Sequence, residues 1–375
     1  MDQLTSPLHN WHQSAGAKMA DFGGWDMPIE YPQGFHTAQP GGVIAEHTAV
    51  RERVGIFDVS HLGKIEVTGE GALAFINAMV TNDLNRIADG SAQYNLLCGE
   101  HGGVIDDLIV YRRSATDLFL VPNASNCAAV FATLSAHKPA AVTMKNAHMN
   151  YGVLALQGPL ATKVMADLGI DTSFDYMAFS EGVLPSHPEL GSVIICRTGS
   201  TGEYGFELIP SWESAPKLWD LLLNSVVALD GRVCGLGSRD TLRTEMAYPL
   251  HGHELSLEIM PVEASAGWAI SFDKGDFLGR GALVAAKEAG VKRRLRGLKS
   301  LDRGIPRGGM VLQNADGQDV GVLTSGTFSP TLKVGIGLAL MDPSIKVGDQ
   351  LTLDIRGRVS TVEVVQTPFV PSHVR

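Results

Sequence analysis

Segments with apolar residues at strand spacing alternate with segments at helical spacing, which predicts interleaved strands and helices over residues 1 to about 285. At 214–229, for example, an apolar stripe at helical spacing is formed by Leu218, Leu221, Leu222 and Val226, and Pro216 lies in the first turn. The strands predicted in this region lie at 92–97, 104–111, 118–121, 151–157, 193–197 and 206–209, and the helices at 72–80, 124–136, 160–168 and 214–229.

The pattern of apolar and polar residues changes after Arg280. A helix predicted at 281–290 ends in glycine, and the basic run at 292–296 is typical of a solvated linker. Short apolar runs interrupted by glycine and proline follow, which predicts a small antiparallel barrel or sandwich. We therefore expect an α+β region at 1–285 and a C-terminal β domain at 292–375.

Length, charge and cysteine content restrict the function. The 375 residues are 45% hydrophobic, enough for two or three cores, and no run approaches the roughly 18 apolar residues of a membrane span. The start of the chain lacks the features of a signal peptide. The four cysteines lie far apart, which suits a reducing cytoplasm rather than a zinc site or disulfide framework. A net charge of -10 argues against nucleic-acid binding but leaves a small anionic ligand open.

Two adjacent carboxylates interrupt an otherwise apolar strand, in the segment GGVIDDLIVY at 102–111. Because side chains alternate along a strand, Asp106 and Asp107 are expected to point to opposite faces. An ionised carboxylate is costly to bury without a partner. The inward one is either a turn aspartate with backbone contacts or a group placed against a ligand nitrogen, and this segment alone leaves both interpretations open.

The segment RTGSTGEYGFE at 197–207 places three glycines within seven residues, so its backbone can turn tightly and approach a flat ligand. It is not a phosphate loop, because no lysine follows at the required position. Glu207, on the strand after the turn, is able to accept two parallel hydrogen bonds from an amidine-like edge. A hairpin turn with a solvated glutamate explains the same residues equally well.

The segment GLGSRDTLRTE at 235–245 predicts a helix with Ser238 as its N-cap and Arg239 in its first turn, facing a cavity or paired with a surface carboxylate. The segment FDVSH at 57–61 offers serine, histidine and aspartate, but adjacent strand residues point apart and no G-x-S-x-G elbow exists. We therefore interpret His61 as a satisfied structural histidine or a pocket-wall residue. Trp268 is either core or a stacking wall.

Together these segments resemble the tetrahydrofolate-dependent T proteins, the aminomethyltransferases of the glycine cleavage system. The resemblance runs nearly end to end, and its specificity lies in many short motifs in the right order. Besides the segments above, it is carried by DFGGWDMP (21–28), GIFDVSH (55–61), TNDL (81–84), LQGP (156–159), YPLHGHE (248–254), DKGDFLGR (273–280), RGIPR (303–307) and TSGTFSPTL (324–332).

The resemblance implies a cloverleaf of two interwoven α+β folate-binding domains and a C-terminal antiparallel β-barrel around a central hole for the folate. It also implies a reaction with two partners. A lipoyl-carrying H protein presents an aminomethyl group, and the one-carbon unit passes to tetrahydrofolate, giving 5,10-methylenetetrahydrofolate, ammonia and the reduced lipoyl arm.

By position, the resemblance makes Asp107 the catalytic carboxylate, placed against nitrogen 10 of the folate, with Asp106 facing away. Glu207 matches the glutamate that holds the pterin edge. Arg239 matches a catalytic and folate-binding arginine near Asp107, where it is expected to keep that carboxylate ionised. Further folate-pocket positions are matched by Tyr94, Asn123 and Trp268.

The sequence also departs from the family pattern. Ser200 stands where the family usually has tyrosine, Tyr204 stands where a polar residue is usual, and the loop at 33–42 is longer than expected. Two rival functions remain within the wider family. Demethylation of an N-methylated amine usually accompanies a preceding flavin domain, which we do not expect here. Folate-dependent iron–sulfur maintenance is disfavoured because Asp276 replaces the thiol of its Lys-Gly-Cys-Tyr motif.

Overall fold

The computed structural model describes residues 3–35 and 39–375, and this part of the chain forms an α+β region followed by a closed β-barrel. The strands are β1 (Leu4–Thr5), β2 (Lys18–Phe22), β3 (Trp25–Glu30), β4 (Gly55–Asp58), β5 (Ile65–Gly69), β6 (Ser91–Cys98), β7 (Val104–Ser114), β8 (Asp117–Val121), β9 (Val142–Asn146), β10 (Leu154–Gln157), β11 (Phe179–Val183), β12 (Ser192–Cys196), β13 (Gly205–Ile209), β14 (Arg232–Cys234), β15 (Arg294–Ser300), β16 (Val311–Gln313), β17 (Asp319–Ser329), β18 (Val334–Met341), β19 (Gln350–Ile355) and β20 (Arg358–Val365).

The α-helices after residue 70 fall where the sequence predicts helices, with ends that differ by a few residues, whereas the two helices at 9–14 and 43–52 are not predicted. The α-helices are α1 (His9–Ser14), α2 (Val43–Glu52), α3 (Ala72–Met79), α4 (Cys127–His137), α5 (Ala161–Asp167), α6 (Ala215–Ala228), α7 (Leu236–Glu245) and α8 (Arg280–Ala289).

The first large sheet has the order β11-β12-β13-β10-β4-β14, antiparallel except for the β14–β4 pair. Helix α6 packs on it because Leu218, Leu222 and Val226 are buried on one stripe beside Trp219. The predicted strand at 151–157 is shorter than expected: β10 begins at Leu154. This sheet carries Glu207 on β13.

The second large sheet has the order β6-β7-β8-β5-β9 and is antiparallel throughout. Residues of β7 alternate between buried and half-buried from Val104 to Val110. Leu108 and Val110 face a core shared with helices α3 and α4, while Asp107 and Ile109 face the opposite side. The sequence alternation therefore predicts this strand correctly.

The last strands close into a six-stranded antiparallel barrel of order β15-β18-β17-β16-β19-β20, which confirms the predicted fold class and excludes a sandwich. Helix α7 packs against the barrel: Arg243 donates to the hydroxyl of Ser325, and Ser329 donates to the carboxylate of Glu245. The barrel is thus fixed to the helix that carries Arg239. Across residues 3–35 and 39–375, the helices are too short or too polar to span a bilayer.

Candidate functional site

The carboxyl group of Asp107 is bonded by a tyrosine on the neighbouring strand. Tyr94 on β6 pairs with Ile109 on β7, so its side chain stands diagonally beside that of Asp107. Its phenol donates a hydrogen bond to Oδ2 of Asp107 at 3.0 Å. Burial, together with the nearby Asp107 carboxylate, raises the pKa of Tyr94 well above its usual value, so the phenol keeps its proton and acts as a donor.

Asn123, in the segment after β8, links Asp107 to its neighbour Asp106. Its side-chain nitrogen lies 2.9 Å from Oδ1 of Asp107, 3.0 Å from the carbonyl oxygen of Asp107 and 2.8 Å from Oδ1 of Asp106. Asp106 is fully buried and also accepts bonds from the Asn123 backbone N–H and the Asn126 amide. The expectation that Asp106 simply faces away is therefore incomplete, because one amide contacts both carboxyl groups.

Burial raises the pKa of both carboxyl groups. For Asp107 it outweighs the hydrogen bond from Tyr94, the imidazole of His251 and the amide of Asn123, which all favour the ionised form. For Asp106, burial and then the charge of Asp107 raise the pKa to about 7. Within the described ranges, no lysine or arginine nitrogen lies within 4.0 Å of either carboxylate. The expectation that Arg239 pairs with Asp107 and keeps it ionised is wrong in this structure.

Glu207 lies half-buried on β13, beside the glycine-rich turn. Its Oε2 accepts a hydrogen bond of 2.5 Å from the hydroxyl of Thr198, a residue of the turn itself. The expectation of a merely solvated glutamate is not met, because the carboxylate is fixed from one side. Its second oxygen has no hydrogen-bond partner in the described part of the chain, and this leaves an acceptor for an outside donor.

Arg239 lies in the first half of α7, although the helix begins earlier than predicted. Gly235 is the N-cap, and the carboxylate of Glu46 accepts the Gly235 N–H at 2.8 Å. The prediction that Ser238 caps the helix is therefore wrong: its buried hydroxyl contacts the carbonyl of Gly235 and the carboxylate of Glu46. A carboxylate from α2, distant in sequence, performs the capping role instead.

The guanidinium of Arg239 is half-buried and has neither an ion pair nor a hydrogen bond among the residues that the structure describes. Arg243, one turn later, differs: it bonds Asp240, Glu254 and the hydroxyl of Ser325. Burial lowers the pKa of Arg239, and the carboxylate of Glu207 opposes that shift more strongly than Asp107 does. Arg239 therefore interacts electrostatically with both carboxylates, and more strongly with that of Glu207.

A cavity of about 250 Å³ opens beside this helix. It is lined by Phe22, Ile29, Leu236, Gly237, Arg239, Asp240, Arg243, Leu250 and His253. A larger cavity of about 510 Å³ lies next to α3, where Lys274 donates to backbone carbonyls and none of the predicted site residues is present. Its size alone does not make it the candidate site, because none of the residues that the sequence and the family resemblance predict for the site lines it.

His61 is almost completely buried and interacts electrostatically with Arg239. Burial, and then the charge of Arg239, lower its pKa to about 3, so the ring is neutral. Its Nδ1 has no hydrogen-bond partner, and its ring packs edge-on against Phe22 at 5.3 Å. It is therefore not a fully satisfied histidine, and it is not among the residues that line the cavity beside α7. No hydrolase triad forms here, because Asp58 bonds His12 instead, at 2.7 Å.

Trp268 is 70% exposed and stacks on Tyr94, with ring centroids 5.4 Å apart and planes inclined by 24°. Of its two predicted roles, core and stacking wall, the exposure excludes core. The structure thus joins Tyr94, Asp107, Asn123 and Trp268 by direct contacts. Among the described residues, Glu207 and Arg239 make no hydrogen bond or ion pair with that group.

Sequence reasoning missed two neighbours of these residues. Thr198 donates its hydroxyl to Glu207. Side-chain alternation along the strands would predict this contact only if the register between β12 and β13 were already known. His251, whose Nε2 lies 2.9 Å from the carbonyl oxygen of Val104, acts electrostatically on Asp107. It belongs to the YPLHGHE motif, but a loop residue carries no periodicity that would have indicated its position.

The two departures in the glycine-rich turn have different environments. Ser200 is half-buried, whereas the ring of Tyr204 covers the Arg197 guanidinium at 3.5 Å and contacts Phe206 edge-on at 5.8 Å. Tyr204 therefore packs against the core beneath the turn. Of the long loop at 33–42, residues 36–38 lie outside the described residues.

Comparisons with known proteins agree with this arrangement. The family described as the GCVT N-terminal domain matches residues 8–274, and the glycine cleavage T-protein C-terminal barrel domain matches 293–371. The chain is 54% identical to an aminomethyltransferase of Parafrankia sp., covering 99% of this chain and 98% of that protein. It is 51% identical to one of Mycobacterium tuberculosis, with the same two coverages.

A solved structure is similar over the whole fold. The crystal structure of glycine cleavage system aminomethyltransferase T from Bartonella henselae has a TM-score of 0.89 at 32% identity, covering 98% of each chain. The two family models together span both the α+β region and the barrel. The chain therefore belongs to the glycine cleavage T-protein family of aminomethyltransferases.

Proposed function

We propose that Asp107 is the catalytic carboxylate of a tetrahydrofolate-dependent aminomethyltransferase. As a member of the T-protein family, the protein transfers the one-carbon unit of an aminomethyl group to tetrahydrofolate and releases ammonia. Positive charge develops at the transferred carbon as ammonia leaves, and a sheltered carboxylate both stabilises that charge and accepts a proton from the attacking amine. A cationic aminomethyl group beside Asp107 would itself favour the ionised form of the carboxyl.

The observation that carries this assignment is how Asp107 is held. Tyr94 and Asn123 fix both oxygens through neutral donors, and no lysine or arginine of the described residues neutralises the group. A carboxylate already paired with a cation would have little charge to offer to a reacting centre. Asp107 is held in position by neutral donors and has no lysine or arginine partner among the described residues, as the proposed role requires.

Glu207 and Arg239 are proposed to bind the folate. The planar edge of a pterin carries a 2-amino group beside a ring N–H, and a carboxylate accepts that pair with two parallel bonds. Glu207 fits because Thr198 orients it while one oxygen remains without a partner in the described chain. Arg239 fits because its guanidinium is half-buried and has no protein acceptor there, which is costly unless a ligand supplies one.

Tyr94, Asn123 and the exposed Trp268 are proposed to complete the pocket and to face the incoming carrier. An indole that is 70% exposed beside the Tyr94–Asp107 pair offers an apolar surface to a lipoyl arm. The partner that we propose is the lipoyl-carrying H protein, and the compartment that we propose is the cytoplasm. Four buried, unpaired cysteines are compatible with a reducing environment.

The test is reconstitution with purified components. The protein is mixed with tetrahydrofolate and an aminomethyl-loaded lipoyl carrier, and 5,10-methylenetetrahydrofolate and ammonia are measured together. We expect both products in equal amounts, and neither when folate is omitted beyond the slow uncatalysed release. Ammonia formed at the full rate without tetrahydrofolate, or no product at all from a folded protein, would reject the proposed function.

A further inference from the structure

We propose that Asp106 is a positioning residue, which holds the Asn123 amide against Asp107 and so controls the protonation form of Asp107. This inference rests on the catalytic role proposed for Asp107 and adds a second residue to it. Asp106 is 0% exposed and therefore cannot touch a substrate. Its effects reach Asp107 through the Asn123 amide that it holds and through the negative charge that it places beside that carboxyl group.

The contacts determine which way the Asn123 amide points. One of its neighbours is the carbonyl oxygen of Asp107, at 3.0 Å, which only accepts hydrogen bonds, so the atom facing it must be the nitrogen. That nitrogen carries two N–H bonds but has three oxygens within 3.0 Å, on Asp106 and Asp107. One N–H is therefore shared between two of these acceptors.

Asp106 keeps this amide in place through its other contacts. The backbone N–H of Asn123 reaches one carboxyl oxygen of Asp106 at 2.8 Å, and the amide of Asn126 reaches the other at 2.7 Å. Every donor is neutral. The titratable groups that interact with Asp106 are Asp107, the phenol of Tyr94 and the thiol of Cys127, and among the described residues no lysine or arginine pairs with it.

Asp107 is surrounded by few groups that titrate or carry charge. They are Tyr94 on β6, Asp106 on β7, His251 in the loop after α7 and Arg239 on α7. Two carboxyl groups joined through one amide resist carrying two negative charges. Removing the charge of Asp106 should therefore make Asp107 easier to ionise.

The experiment is the pH dependence of turnover for the full chain with its carrier. In Asp106→Asn, the part of the pH–rate profile that follows the ionisation of Asp107, here called its limb, should move to lower pH by on the order of one unit. This direction is the same whether the ionised or the protonated form of Asp107 is active. Asn126→Ala removes one donor from Asp106 without touching Asp107, favours neutral Asp106, and should move the limb in the same direction by less. Should Asp106→Asn not fold, Asn126→Ala carries the test.

Two histidine variants test whether the limb of the pH–rate profile comes from Asp107 or from a histidine. His251→Gln should retain the shift produced by Asp106→Asn, and His101→Gln, on the exposed turn between β6 and β7, should leave the profile unchanged. The infrared carbonyl band of protonated carboxyl groups gives a readout that does not depend on turnover. As pH rises and the carboxyl group ionises, this band should disappear at a lower pH in Asp106→Asn than in the parent.

An unshifted limb and an unshifted band in both Asp106→Asn and Asn126→Ala would overturn the inference. Lower turnover with an unshifted profile would assign Asp106 a purely structural role, which also overturns it. The role of Asp107 itself is tested separately. Near-normal turnover in Asp107→Asn rejects the catalytic assignment, whereas loss in Asp107→Asn without a shift in Asp106→Asn rejects only the role of Asp106.

Discussion

The phenol of Tyr94 and the carboxyl group of Asp107 are joined by a hydrogen bond of 3.0 Å between neighbouring strands of one sheet. The donor is a side chain with a rigid ring, held further by stacking on Trp268. This relationship orients the carboxyl group without neutralising it.

Tyr94→Phe should lower turnover by roughly 10- to 100-fold, because a hydrogen bond to an ionised group is worth about 1.5–3 kcal/mol. Loss of the donor should also raise the pKa of Asp107 further, since that bond favours its ionised form. Steady-state kinetics across pH check both effects. Tyr151→Phe is the matched control, since that phenol bonds Glu66 away from the site. Equal kinetics for the two variants would contradict the role of Tyr94.

Glu207→Gln should weaken folate binding by roughly 10- to 100-fold and change turnover at saturating folate much less. An amide offers one acceptor and one donor to an edge that presents two donors, so one of the two parallel bonds is lost. Isothermal titration with tetrahydrofolate measures the affinity. Glu181→Gln, on β11 and paired with Arg113, is the control. If Glu207→Gln binds folate as tightly as that control, Glu207 does not hold the pterin edge.

The two arginines of α7 should respond oppositely to removal. Arg239→Met should leave the free energy of unfolding within about 1 kcal/mol of the parent, since no protein partner is stranded. Arg243→Met should cost about 3–5 kcal/mol, because it leaves Glu254 buried without its partner at 2.9 Å.

Chemical denaturation measures both arginine variants, and folate titration completes the comparison. Arg239→Met should lose at least about tenfold in folate affinity, equivalent to about 1.4 kcal/mol. A large loss of stability in Arg239→Met would show that the guanidinium has a structural partner after all, and unchanged folate binding would remove it from the pocket.

Stability should fall at acid pH because of Asp58. Its carboxylate accepts bonds from His12 and Ser6, which outweigh burial and lower its pKa to about 2. A depressed folded-state pKa means that the stabilisation is present above the unfolded value near 4 and is lost as pH falls towards 2. It amounts to roughly 2 kcal/mol at neutral pH.

Thermal unfolding from pH 6 to pH 2 checks this titration. Asp58→Asn should be less stable at neutral pH and should show a shallower loss of stability between pH 4 and pH 2. The exposed Asp273→Asn should follow the parent curve. Parallel curves for Asp58→Asn and the parent would contradict the assignment.

The sequence predicts individual elements well where a local pattern decides them. The alternation in β7 places Asp107 on the less buried face, and the glycine-rich segment gives the β12–β13 turn beside Glu207. It fails where a distant residue intervenes. Ser238 has the chemistry of an N-cap, but Glu46, which is 189 residues from Gly235, already satisfies the helix start.

The site shows the same division between local and distant effects. Each predicted side chain could be proposed from its own segment or from the family resemblance, but their mutual arrangement depends on how sheets, loops and barrel meet. The expected Arg239–Asp107 pair is absent within 4.0 Å in the described chain, while His251, from a distant loop, is the imidazole that influences Asp107. No periodicity encodes either outcome, because both are set by tertiary packing.

The most direct test of the central claim is the single-turnover rate of Asp107→Asn, measured with tetrahydrofolate and a loaded carrier beside Asp273→Asn as the control. We predict a rate lower by roughly 10²–10⁴-fold with folate affinity retained, the range expected for a positioned acid–base group. A rate within a few-fold of Asp273→Asn, from a variant that folds and binds folate normally, would contradict the account.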